Sequence, residues 1–178
     1  MTNIDFIKNE VKKAGFEVVS DLDVSTIKLM DEVRNMCAEN KCQQYGVNWA
    51  CPPGCGTLEE CRERVSKYSK GVIFQTVGDV EDSFDFEAMK EIEKKHKNRF
   101  FKLIENLEDS NLEIMFFGTG CCTSCKKCTY PDKPCRFPKR LISSMEAYGM
   151  LVSDVCKTNN IDYYYGKTKI AYTACLIF

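Results

Sequence analysis

The chain has 178 residues, 44% of them hydrophobic and 29% charged, enough for one buried core under a charged surface. Lys+Arg 25 against Asp+Glu 26 gives a formal net charge of -1, which excludes a nucleic-acid binder that works by bulk positive charge. No apolar run approaches the roughly 18 residues of a membrane span, and the charged opening stretch has no apolar signal segment, so the expectation is a cytoplasmic protein with neither membrane nor nucleic acid as partner.

Ile4, Ile7 and Val11, with Lys and Glu between them, predict a short amphipathic helix that Gly15 ends. Residues 17–20 read as a strand and 29–37 as a helix. Gly46, Pro52, Pro53, Gly54 and Gly56 make 42–56 a loop. Thr57-Leu58-Glu59-Glu60 is a capping box, opening a helix predicted to run to about Ser69 and to stop at Gly71. Strands are predicted over 72–77 and 112–117, with a long polar-faced helix over 84–107 between them. Gly118-Thr119-Gly120 lacks the third glycine of a dinucleotide loop and reads as room for the loop that follows, 121–138. Helices over 139–148 and 152–159 and strands over 163–165 and 170–178 complete the chain. This alternation predicts a single domain over 1–178, α/β or α+β, with a central mixed sheet flanked by helices and interrupted by two cysteine-rich metal-binding loops.

The chemistry lies in Cys 12 against His 1. Clustered cysteines in a reducing compartment read as metal ligands rather than disulfides, and a single histidine leaves mixed Cys/His zinc sites poorly supplied. Cys122-x2-Cys125-x2-Cys128-x6-Cys135 is the sharpest signal. Three cysteines at consecutive x2 spacings let one tight loop wrap three corners of a cubane, whereas zinc usually takes two separated pairs. The bacterial ferredoxin run has the same first spacings but a shorter last gap and a Pro after its fourth Cys; here Pro134 precedes Cys135, which leaves the origin of the fourth ligand open. Cys121, next to Cys122, reads as a spare thiol. Lys126, Lys127, Lys133, Arg136, Lys139 and Arg140 make the same segment basic, a solvated loop whose cations offset a negative cluster and could dock an acidic redox partner.

Cys37-x4-Cys42-x8-Cys51-x3-Cys55-x5-Cys61 offers five thiols where a centre needs four. Cys61 sits in the first turn of the capped helix, whose positive end favours a thiolate, and Cys55 on a flexible Gly-flanked turn. Trp49 is expected to pack beside this group. Cys156 and Cys175 lie among apolar neighbours and read as core thiols. His96, in Glu93-Lys94-Lys95-His96-Lys97, reads as a solvated helix position, and Tyr163, Tyr164 and Tyr165 as a strand.

The stretches from Cys37 through Tyr45, Trp49 and Cys51-Pro52-Pro53 to Cys61, and from Gly120 through Cys122, Cys125 and Cys128 to Cys135 and Gly149, together resemble the "predicted metal-binding protein" family, domain of unknown function 2284, a cysteine-rich family of anaerobic bacteria and archaea. The resemblance implies two cysteine sets, Cys37, Cys42, Cys51 and Cys61 for one site and Cys122, Cys125, Cys128 and Cys135 for the other, with Cys55 and Cys121 as the spares. The resemblance implies little about activity, and the cysteine count and spacings fit three functions. One is an electron carrier or redox-partner module with two 4Fe-4S clusters. A second is an iron–sulfur enzyme whose cluster keeps an open iron for sulfur abstraction or a reductive step. The third is a binding protein whose loops zinc merely holds in place.

Overall fold

The computed structural model describes residues 2–178. Five helices pack on a five-stranded mixed sheet in one α+β domain, its strands in the order β1-β2-β5-β3-β4. β1 (Val18–Asp23), β2 (Lys70–Asp79), β5 (Lys169–Ile177) and β3 (Met115–Gly118) pair antiparallel in turn, and β4 (Ser143–Ser144) runs parallel to β3. The period-2 alternation of the central strands divides the core in two. Val72, Phe74, Ala174 and Leu176 face one way, with Ile73, Cys175 and Ile177 facing the other.

On the first face lie α1 (Asn3–Lys13), which buries Ile7 and Val11, and α4 (Phe86–Leu107), which buries Phe100, Leu103 and Leu107. α1 opens on a Thr2–Asp5 capping box, and Gly15, at φ +104°, takes the left-handed position just past its end. On the second face lie α2 (Asp31–Ala38), α3 (Leu58–Val65), α5 (Val152–Thr158) and a 3₁₀ turn, Glu146–Tyr148. Cys156 and Cys175, both 0% exposed, are core thiols of this face, as expected.

Four local expectations are corrected. α3 ends at Val65 rather than Ser69, and Gly71 lies inside β2, because the Lys70 amide and carbonyl already pair with Phe178. The predicted helix over 139–148 is a 3₁₀ turn (Pro138–Arg140), then β4, then the Glu146–Tyr148 turn. Tyr163–Tyr165 is loop: Tyr163 and Tyr164 are 56% and 69% exposed, and Tyr165 donates its hydroxyl to Gln75 Oε1 at 2.6 Å.

His96 is the fourth correction. It is 1% exposed, with Nδ1 3.1 Å from Thr76 Oγ1 and Nε2 3.2 Å from Thr119 Oγ1. Burial, helped by Arg99 and Lys97, holds its pKa down to about 4. The sign is that of a buried neutral base. Above about pH 6.5 both folded and unfolded chains are neutral here; between 6.5 and 4 only the unfolded chain takes the proton, so stability falls as pH falls. The loss should reach about 3 kcal/mol by pH 4. In urea unfolding from pH 7 to 4, His96→Gln should flatten that part of the curve; an unchanged slope in the variant would refute the assignment.

Candidate metal centre

The first cysteine loop is fixed by backbone packing around Asn48 and Gly54. Asn48 Oδ1 accepts from the Ala50 and Cys51 amides at 3.0 and 2.9 Å. The Cys55 and Gly56 amides close back on the Cys51 and Pro53 carbonyls at 3.1 and 2.9 Å. A Cβ on Gly54 would stand 2.3 Å from the Asn48 carbonyl oxygen and 3.0 Å from the Tyr130 ring, so only glycine fits. Cys37 comes from the last turn of α2, its Sγ 3.8 Å from the Glu146 carbonyl, while Cys42 is exposed and Cys51 half-buried. Burial, then the Glu146 carboxylate, pushes the Cys37 thiol up. Burial pushes Cys51 up to about 11, against a hydrogen bond from Asn48, and Cys121, Cys42 and Cys37 add to the rise. Those thiols therefore lie within charge–charge reach of Cys51.

Cys55 and Cys61 form a buried pair beside them, with Cys51 within charge–charge reach of Cys55. Cys55, expected on a flexible turn, is 6% exposed and donates from Sγ to the Ala147 carbonyl at 3.5 Å, and Cys61 is 0% exposed. The hydrogen bond between the two thiols holds Cys61 below the ordinary thiol range and Cys55 above it; Arg64 and then Arg34 lower Cys61 further. Arg34 Nη1 stands 3.8 Å from Cys55 Sγ and 3.7 Å from Cys61 Sγ, and Arg64 Nη2 stands 3.6 Å from Cys61 Sγ. Both guanidiniums are pinned, Arg34 on the Ala147 and Gly56 carbonyls at 2.9 and 2.7 Å, Arg64 on the Glu60 carbonyl and the Tyr148 hydroxyl at 3.0 and 2.7 Å. Neither arginine was singled out in the sequence. The readable signal was their spacing, three residues before Cys37 on α2 and three after Cys61 on α3, positions that share a helix face with those cysteines.

The second loop holds Cys122, Cys125, Cys128 and Cys135, all half-buried, as is Cys121. Its own hydrogen bonds run from the Lys133 amide to the Thr129 carbonyl at 3.0 Å, from Thr129 Oγ1 to the Pro134 carbonyl at 2.9 Å, and from Arg136 Nη1 to the Lys127 carbonyl at 2.9 Å. The Cys122 thiol donates to Ser124 Oγ at 3.5 Å. Lys126, Lys127, Lys133, Arg136, Lys139 and Arg140 are all exposed, a solvated basic rim.

The two loops touch. Trp49 Nε1 donates to the Lys133 carbonyl at 3.0 Å, and its ring meets Tyr130 edge-on with centroids 4.8 Å apart. Trp49, two residues before Cys51, thus clamps the second loop onto the first. All twelve cysteines are free thiols. Among the described residues no three side chains drawn from Cys, His, Asp and Glu stand close enough together to hold a metal ion. The donors nevertheless suit a thiophilic centre in kind: thiols with guanidinium N–H groups beside two of them, and no imidazole at either loop.

A family model described as predicted metal-binding protein (DUF2284) matches residues 20–178. The chain belongs to this family. The matched span includes both cysteine loops and the whole sheet apart from the first residues of β1, and leaves out α1. No curated protein matches the chain, and no solved structure does. No helix is long and apolar enough to cross a membrane among the described residues. The family description is of a predicted metal-binding protein, which fits a chain with twelve cysteines.

Proposed function

We propose that the protein is an iron–sulfur electron carrier with two 4Fe-4S clusters, one held by Cys37, Cys42, Cys51 and Cys61, the other by Cys122, Cys125, Cys128 and Cys135. The observation that carries the reading is the contact between the loops. Trp49 and Tyr130 join them, and Cys121 lies within electrostatic reach of Cys51, so two centres built there are neighbours. Adjacent centres suit passage of an electron from one to the other. The consecutive x2 spacings of Cys122, Cys125 and Cys128 favour a cubane over zinc. Thiolate ligands make a cluster anionic, and N–H donors and cations near its sulfurs raise its potential. Arg34 and Arg64 supply such donors at the first site, and the exposed lysines and arginines of the second loop supply cations and a face for an acidic redox partner.

The test is metal and sulfide analysis of protein purified without oxygen. The expected result is broad charge-transfer absorption with roughly eight irons per chain, two cubanes of four, and matching acid-labile sulfide. Stoichiometric zinc without sulfide, after reconstitution has been attempted, would overturn the proposal and favour the zinc-held scaffold.

A further inference from the structure

A cleft of about 860 Å³ opens at the β4 edge of the sheet, where α4, the segment before β3 and residues 137–142 leave the two layers apart. That volume is within the range of small-molecule sites, roughly 300–1,000 Å³. Its walls are apolar, with Phe101 and Ile104 from α4, Phe116 from β3 and Leu141 from the 137–142 segment. Its polar inner end is different. Tyr148, 5% exposed, accepts from Arg64 Nη1 at 2.7 Å, and the guanidinium also lies 5.1 Å from the centroid of the phenol ring. Among the described residues the phenol's own proton meets no acceptor, and Arg64 closes no salt bridge with a carboxylate; it donates to the Glu60 and Cys55 carbonyls and to the Cys61 sulfur, and only the Glu60 carboxylate lies within charge–charge reach of it. The rim is neutral by comparison, since Lys139 and Arg140 face Glu108 and Glu105 at 3.8 and 3.9 Å.

We propose that this cleft binds an apolar monocarboxylate, with the carboxylate taking the Tyr148 proton as a hydrogen bond beside Arg64 and the chain lying along Phe101, Ile104 and Phe116. The inner end offers one phenol donor and the edge of one guanidinium. That suits one charge on two oxygens, and is too little for the two charges and three oxygens of a phosphate. The apolar walls exclude water and reward a hydrocarbon body. Because Cys55 and Trp49 also line the cleft, the bound molecule lies against the first cysteine group. The inference goes beyond electron transfer and holds whichever metal the loops carry.

The test uses the protein purified without oxygen, metal in place, titrated calorimetrically with octanoate and, for comparison, with octanol. Octanoate should bind saturably, with a dissociation constant on the order of 1 mM or tighter. Tyr148→Phe should weaken octanoate at least tenfold, roughly the effect of one hydrogen bond to a charged group, and leave octanol unchanged. Leu141→Trp, which fills the cleft from its partly exposed wall, should weaken both ligands and still fold. No saturable octanoate heat, octanol as tight as octanoate, or wild-type octanoate affinity in either variant would overturn the proposal. Iron and sulfide counted on the same samples keep its failure distinct from that of the cluster reading.

Discussion

Stripping the metal should release amide protection across 121–138 first and across 37–61 next, while β2 and β5 keep theirs. The order follows from what holds each segment. β2 and β5 are paired from Gly71↔Ile177 to Asp79↔Lys169 and flanked by helices on both faces, so nothing in that ladder depends on a metal. The first loop is held by the Asn48 caps, the Cys55 and Gly56 turn bonds and the packing of Gly54, and so retains part of its order without metal. The second loop has the Lys133–Thr129 bond, four side-chain bonds and the Trp49 clamp to join a long, mostly exposed stretch. Metal binding free energy is folding free energy where no preformed site exists, about 10–16 kcal/mol in small zinc domains, and here the thiols are not drawn together to ligand distance. Hydrogen exchange with and without metal should show loop amides losing protection roughly tenfold or more. Equal protection in the two states would mean that the loops stand without the metal and that the centres are not built as described.

Much of this frame is readable from residue chemistry. The Thr57 capping box, the apolar run of β2, the terminal strand β5 and the 3.6-period stripe of α4 each express a local preference that the tertiary fold reinforces. The misreadings are places where a local pattern has a tertiary competitor. Leu141, Ile142, Met145 and Tyr148 repeat at helical spacing, yet Ser143 and Ser144 pair with Phe117 and Gly118, and Gly149, at φ +85°, ends the last turn. His96 was hidden by the lysines around it, although His96, Phe100, Leu103 and Leu107 recur at the spacing of one buried helix face. At the site, ligand types and spacings were legible. The contact between the two loops was not, because Trp49 meets Lys133 across 84 residues of chain, and no local pattern encodes that separation. The Cys55–Cys61 pair was half legible: the helix placing Cys61 was, the burial of Cys55 under Ala147 was not.

Single serine substitutions should sort the thiols. Cys125→Ser and Cys128→Ser should each cost the second cluster, roughly four of eight irons and the matching absorption, because neither cysteine has a neighbouring substitute in the loop. Cys121→Ser should leave iron and spectrum nearly unchanged, since Cys122 holds the x2 spacing to Cys125 that lets the loop wrap a cubane. In the first group the buried pair sharpens the contrast between its members. Cys55 carries the shared proton of the pair, given either to Cys61 or to the Ala147 carbonyl, while its sulfur accepts from one guanidinium, Arg34, and a serine hydroxyl there keeps both roles. Cys61 is the sulfur on which two guanidiniums converge, at 3.7 and 3.6 Å, and a hydroxyl there leaves both charges facing a neutral group. Cys61→Ser should therefore lose the first cluster and lower stability by about 1–3 kcal/mol, with Cys55→Ser costing less of both. Iron content, visible absorption and urea unfolding of the five variants read out the assignment. Loss of a cluster in Cys121→Ser would move that thiol into a ligand set, and equal losses in Cys55→Ser and Cys61→Ser would dissolve the distinction between donor and ligand on which the first site rests.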